Sequence, residues 1–172
     1  ISAVSQIIRK EHTGKTAVVV SAMSGVTDKL LGLVELAKNR DEGLTAALEA
    51  VKQIHLNTIK ELIPPQNRSS LVAAVQADFN DIEDILRGVC LIREAASRTR
   101  DYISGLGEVW SAQFLNAKLQ SEGLSSEWID ARKILVVSPA QPTPNIIWDE
   151  SLKRLNQIIE SNSDKDWFVI TG

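Results

Sequence analysis

Three short stretches carry side chains that could hold a small ligand. The first is Val20-Ser21-Ala22-Met23-Ser24-Gly25-Val26-Thr27-Asp28-Lys29. An apolar run from Thr16 enters a loop of small residues, and a helical pattern follows at Leu30, Leu31, Val34 and Ala37. Such a strand–loop–helix corner offers backbone N–H groups and the positive end of a helix dipole to an anion. Ser21, Ser24 and Thr27 add hydroxyls, and Gly25 lets a ligand approach the backbone. The Gly-Lys-Ser/Thr ending of a Walker loop is absent, and so is a Gly-x-Gly-x-x-Gly fingerprint. Ordinary capping of a helix by Ser or Thr accounts for the same residues.

The second stretch is Ile103-Ser104-Gly105-Leu106-Gly107-Glu108-Val109-Trp110-Ser111-Ala112. Two closely spaced glycines predict an interruption in a helical pattern, with Glu108 where the helix resumes. Glu108 then reads either as an acidic residue favoured by the dipole of a first turn or as the partner of a ligand's cationic group. A carboxylate suits an ammonium through charge-assisted hydrogen bonds. The third stretch is Trp128-Ile129-Asp130-Ala131-Arg132, placed after a strand, where ligands of parallel sheets bind. A local ion pair is the simpler reading of Asp130 and Arg132.

The other reactive side chains point to packing. Cys90 sits between Val89 and Leu91 in a helical stretch and reads as a core thiol. His55 lies on an apolar helix stripe and reads as a packed histidine, whereas His12, before a Thr-Gly turn, reads as solvated. The tryptophans form no base-stacking array.

The elements that must position these residues follow from periodicity. Ile1, Val4 and Ile8 stand at helical spacing. Thr16 to Ser21 predicts a strand buried on both faces. A helix then leads to Asn39-Arg40-Asp41-Glu42. Two long amphipathic helices occupy the stretch between Gly43 and Gly88, the first closed by Pro64 and Pro65 and the second capped by Ser69 and Ser70. They read as an insertion between strands. A helical stretch follows near Arg93 to Tyr102, and another from Val109 to Leu119. Ser126 to Asp130 and Ile134 to Val137 predict short strands. Pro139, Pro142 and Pro144 predict a loop, Trp148 to Ile159 a helix, and Trp167 to Thr171 a buried strand. Strands alternating with helices imply an α/β fold with a mostly parallel sheet.

Composition narrows the function. The 172 residues are 44% hydrophobic and 24% charged, as in a folded domain. A net charge of −3 without a Lys/Arg cluster argues against nucleic-acid and membrane partners. One cysteine rules out an intrachain disulfide, and two histidines with one cysteine make no His/Cys zinc cage. A reduced, cytoplasmic protein is the expectation. Ile1 in place of Met and a strand at the very end suggest a chain cut from something longer.

In this order and spacing, four segments resemble the aspartate kinases of the amino-acid kinase family. They are Val18 to Leu31, Gly107-Glu108-Val109-Trp110-Ser111-Ala112-Gln113, Trp128 to Arg132, and Val169-Ile170-Thr171-Gly172. The resemblance spans nearly the whole chain and is nearest to the kinase portion of bifunctional aspartokinase–homoserine dehydrogenases. It implies a three-layer α/β/α sandwich, of which residues 1–172 would be a single partial domain, the aspartate-binding N-terminal lobe. It also implies transfer of the ATP γ-phosphoryl group, with Mg2+, to the β-carboxylate of L-aspartate. Carried over by motif, Ser21, Ala22 and Thr27 would line the aspartate site and Glu108 would bind the α-ammonium group. No catalytic or metal residue is expected within the chain. The family's opening Lys-Phe-Gly-Gly-Thr segment is missing from residues 1–172 and would be expected before Ile1, and its Arg-Gly-Gly-Ser-Asp segment would lie beyond Gly172. The isolated stretch is therefore expected to be inactive. A non-catalytic oligomerisation or regulatory module is the alternative. A homo-oligomer is the general expectation, with a plastid location if the source is a plant.

Overall fold

The computed structural model describes residues 1–10, 14–138 and 145–172. The expectations for His12 and for the Pro139–Pro144 loop lie outside the described residues. Three parallel strands form the main sheet: β1 (Thr16–Val20), β5 (Trp167–Thr171) and β2 (Ser126–Ile129), in the order β1-β5-β2. Val20 pairs with Thr171 and Ile129 with Ile170, so the carboxyl ends of all three strands lie along one edge.

Helices cover both faces. Successive residues of β5 point to opposite sides. Trp167 and Val169 pack with Ile8 of α1 (Ser2–Lys10) and with Ala112, Leu115 and Leu119 of α5 (Ser97–Ser121). Phe168 packs on the other side with Ile134 of α6 (Ala131–Ile134) and with Leu155, Ile158 and Ile159 of α7 (Trp148–Ser161). This is the α/β/α layering expected.

The largest core lies beyond α5. There α2 (Val26–Asn39), α3 (Leu44–Leu62) and α4 (Ser69–Ile92) pack around Leu30, Ile59, Ile82, Trp110 and Phe114. The predicted insertion is thus a helical layer, and α5 is buried by the sheet on one side and by this layer on the other. His55 is a packed histidine, as the sequence indicated. It is fully buried, its Nδ1 lies 2.8 Å from the Val51 carbonyl, and its ring meets Trp110 edge-on at 4.3 Å. Burial lowers its pKa, against the opposing pull of the Val51 bond. Cys90 is half-buried against the same core.

Several expectations fail for identifiable reasons. β1 is not buried on both faces: it lies at the sheet edge, outside the cluster that α7 covers, and Val19 is 67% exposed. Ser69 and Ser70 do not cap α4; they are its first two residues, and Arg68 takes the cap position without a side-chain bond. Ile134 to Val137 is not a strand. Asp130 accepts the Arg132 N–H at 3.0 Å and starts the single turn of α6, which leaves only Val137–Ser138 (β3), paired antiparallel with Asn145–Ile146 (β4). Trp110 and Trp167 are core residues, but Trp148 is largely exposed.

Candidate functional site

The loop after β1 forms the corner that its residue types suggested. Gly25 adopts φ 71°, a left-handed conformation that favours glycine, and takes the cap position of α2. The Val26 N–H bonds the Met23 carbonyl at 3.0 Å, tightening the turn. No side chain caps α2. Thr27 is its second residue and is exposed, so helix capping does not account for the Ser24 and Thr27 hydroxyls. The Thr27 and Asp28 N–H groups lie in the first turn, where helices leave donors unpaired.

The last strand ends against this corner. The Gly172 N–H bonds the Val20 carbonyl at 2.8 Å, and a Cβ on Gly172 would stand 3.0 Å from that oxygen. Thr171 Oγ1 accepts the Ala131 N–H at 2.9 Å, tying the end of β5 to the segment after β2. Three of the four sequence segments therefore share the carboxyl edge of the sheet.

The fourth reaches the corner through α5. Gly105 and Gly107 do not interrupt the helix, which runs unbroken from Ser97 to Ser121. Glu108 is therefore a mid-helix residue, and the first-turn dipole reading does not apply. A Cβ on Gly107 would stand 3.0 Å from both Ala22 Cβ and Val26 Cγ1. The missing side chain lets α5 pass directly against the corner. At Gly105 a Cβ would meet nothing within 4 Å.

A cavity of about 700 Å3 opens beside this contact. Its polar lining includes Ser21, Ser24, Thr58, Glu61 and Ser111, and α1 supplies an apolar wall. Of the sequence-derived residues, Ser21 and Ala22 line it, whereas Thr27 and Glu108 do not. Glu108 is half-buried one turn before Ser111 on α5 and has no hydrogen-bond or ion-pair partner among the described residues. Glu61 and Ser111 were missed by the sequence reading. Ser111 becomes legible once α5 is continuous, because residues three apart share a helix face; Glu61 gives no such signal. Among the described residues no Lys or Arg lines this cavity. Its hydroxyls and carboxylate suit a small polar ligand with a cationic group, and charge on a transferring phosphoryl group would have to be neutralised from elsewhere.

Asp130 and Arg132 pair with each other, as the simpler reading held. The guanidinium donates to both carboxylate oxygens at 2.8 and 2.7 Å. Burial alone would raise the Asp130 pKa, but Arg132 outweighs it and holds the carboxyl below its usual range. Asp78 of α4 accepts the Trp110 indole N–H at 2.7 Å, and burial raises its pKa. Among the described residues no group of three or more His, Cys, Asp or Glu side chains could hold a metal ion. No described helix is long and apolar enough to cross a membrane.

Comparison with known proteins fits this arrangement. A sequence profile described as "Amino acid kinase family" matches residues 1–172. The bifunctional aspartokinase/homoserine dehydrogenase 1, chloroplastic, of Arabidopsis thaliana is 36% identical over 168 residues, covering 96% of this chain and 18% of that protein. The corresponding Zea mays enzyme 1 is 34% identical over 172 residues, covering 98% and 18%. The chain thus spans under a fifth of the length of these relatives. The crystal structure of Escherichia coli aspartokinase III in complex with aspartate and ADP matches with a TM-score of 0.79 at 17% identity, over 96% of this chain and 36% of that one. That likeness establishes a shared fold.

Proposed function

The chain belongs to the amino acid kinase family, and from that premise we propose that it is the aspartate-binding lobe of an aspartate kinase. The full protein transfers the ATP γ-phosphoryl group to the β-carboxylate of L-aspartate, giving 4-phospho-L-aspartate. The observation that carries this reading is the contact of Gly107 with Ala22 and Val26, which sets the helix of Glu108 against the hydroxyl-bearing corner.

In this reading Ser21, Ala22 and Thr27 line the aspartate site, and the Glu108 carboxylate receives the α-ammonium group. The absence of another partner for Glu108 among the described residues supports that role. Phosphoryl transfer depends mainly on positioning and charge neutralisation, so the chain needs no covalent nucleophile. Mg2+ would arrive with ATP as part of the substrate, and no residue here is assigned to it. Among the described residues no Lys or Arg lines the cavity beside the corner, and in this reading the groups that neutralise the transferring phosphoryl group are supplied by the rest of the full protein. The full protein works as a homo-oligomer in the cytoplasm, or in a plastid if the source is a plant.

Thr27 tests the corner. In the full-length protein Thr27→Val should impair use of aspartate while leaving the thermal unfolding transition in place. A cooperative loss of fold, or unchanged aspartate kinetics, would remove Thr27 from the site.

A further inference from the structure

The face of α5 that meets the sheet runs on past the strand ends. Ala112, Leu115 and Leu119 pack with Trp167 and Val169 of β5, and Glu108 and Gly105 continue the same stripe at helical spacing. The last turn of α5 lies at the amino ends of the strands, where the Gln120 side chain donates to the Ser126 carbonyl at 2.9 Å. Its first half therefore extends beyond the carboxyl edge, and Gly107 already lies against Ala22 and Val26, past the end of β1.

On this stripe the glycine at 105 serves no structural purpose within the chain. It lies inside a continuous helix, where glycine is less favourable than alanine. At Gly107 the contact with the corner accounts for that penalty. Gly105 is half-buried, yet a Cβ there would meet nothing within 4 Å among the described residues. It is not among the glycines with positive φ. Neither packing nor backbone conformation calls for the missing side chain.

What the glycine leaves clear is the surface beside Glu108. Helical side chains lean towards the N-terminus, so each covers the turn before its own Cα. The turn before Glu108 contains Gly105, and the Glu108 carboxylate has no partner among the described residues. Side chains three residues apart on a helix stand with Cβ atoms about 5–6 Å from each other. A side chain at 105 would therefore take up the space that a group bound to the Glu108 carboxylate must occupy. Glycine is the residue that lets a ligand come close to a backbone.

We propose that Gly105 is a substrate-facing residue of the aspartate site, whose missing side chain makes room for the ammonium-bearing carbon of the amino acid held by Glu108. The inference rests on the role given to Glu108 above and adds a steric limit beside it. The carboxylate selects the ammonium, and the bare turn admits the carbon that carries it.

Gly105→Ala and Gly105→Leu in the full-length protein test this, assayed beside Glu108→Gln by steady-state kinetics and thermal melts. Gly105→Ala should hold or raise the melting midpoint and yet raise the KM for aspartate about tenfold, the effect of one carbon in a close-fitting site. Gly105→Leu should raise it further, and the KM for ATP should stay unchanged in both. An unchanged KM for aspartate in Gly105→Ala, with that of Glu108→Gln raised, overturns this inference alone. An unchanged KM for aspartate in Glu108→Gln overturns the role of Glu108 and this inference with it, whatever Gly105→Ala does. A lowered melting midpoint for Gly105→Ala would mean that another part of the full protein packs on the glycine, and a rise confined to the KM for ATP would place the nucleotide there; either result also overturns the proposal.

Discussion

Replacing Gly107 with Ala probes the contact that brings α5 to the corner, and Gly105→Ala on the same helix is its internal control. In a helix interior Ala is favoured over Gly by about 1 kcal/mol. At Gly105 a Cβ meets nothing within 4 Å, so Gly105→Ala should gain up to about that amount. At Gly107 the new Cβ stands 3.0 Å from Ala22 Cβ and Val26 Cγ1, and these must give way by a few tenths of an ångström. Val26 is 2% exposed and packs in the main core, so it has little room to move. Overpacking of this kind costs about 1–3 kcal/mol. That cost offsets or exceeds the helix gain, so Gly107→Ala should be neutral to about 2 kcal/mol destabilising. The difference between the two variants, about 1–3 kcal/mol, isolates the contact from helix propensity. Urea unfolding followed by circular dichroism, with linear extrapolation and a check that m is unchanged, measures it. Equal stabilisation by both substitutions would refute the close approach of α5 to the corner.

Two further predictions concern buried titratable groups. His55 is held neutral by burial, with its pKa below the ordinary value. Below pH about 6.5 the unfolded chain takes up a proton that the folded chain resists, so stability should fall as pH drops through that range, by at most about 1.4 kcal/mol per pH unit. Thermal melts from about pH 7.5 to about pH 5.5, roughly one unit on either side of the unfolded-state pKa, should show this loss, and His55→Phe should flatten it; an unchanged slope would show that His55 is not its source. At Asp78, substitution by Leu leaves the Trp110 indole N–H without its 2.7 Å acceptor and should cost about 1–3 kcal/mol. Asp78→Asn keeps an acceptor and removes a carboxylate whose burial raises its pKa, so it should cost clearly less. Equal losses in urea unfolding would mean that the hydrogen bond contributes little.

What the sequence disclosed, and what it hid, divides along physical lines. Strands β2 and β5 and helices α1, α3, α4 and α7 were legible because apolar periodicity reports local geometry. The corner was legible too, because its small hydroxyl residues sit between a strand pattern and a helix pattern. Gly105 and Gly107 misled because glycine weakens a helix only by propensity, and packing overrides propensity. Here α5 is buried by the sheet and by the helical layer, and that enclosure keeps it continuous through both glycines. The exposure of Val19 was hidden because a β-branched run reports strand character, whereas burial depends on which neighbours cover the strand. The turn at Ala131–Ile134 was hidden because a single Asp130 cap decides it. Glu61 and Ser111 at the cavity beside the corner depend on helices brought together from distant parts of the sequence.

The account centres on Glu108 as the group that receives the amino-acid ammonium. Steady-state kinetics of Glu108→Gln in the full-length protein tests it most directly, because the substitution removes charge while nearly keeping shape. Loss of a charged hydrogen bond of about 1.5–3 kcal/mol should raise the KM for aspartate roughly ten- to hundredfold and leave the KM for ATP almost unchanged. An unaltered KM for aspartate, or a rise confined to ATP, would contradict the assignment.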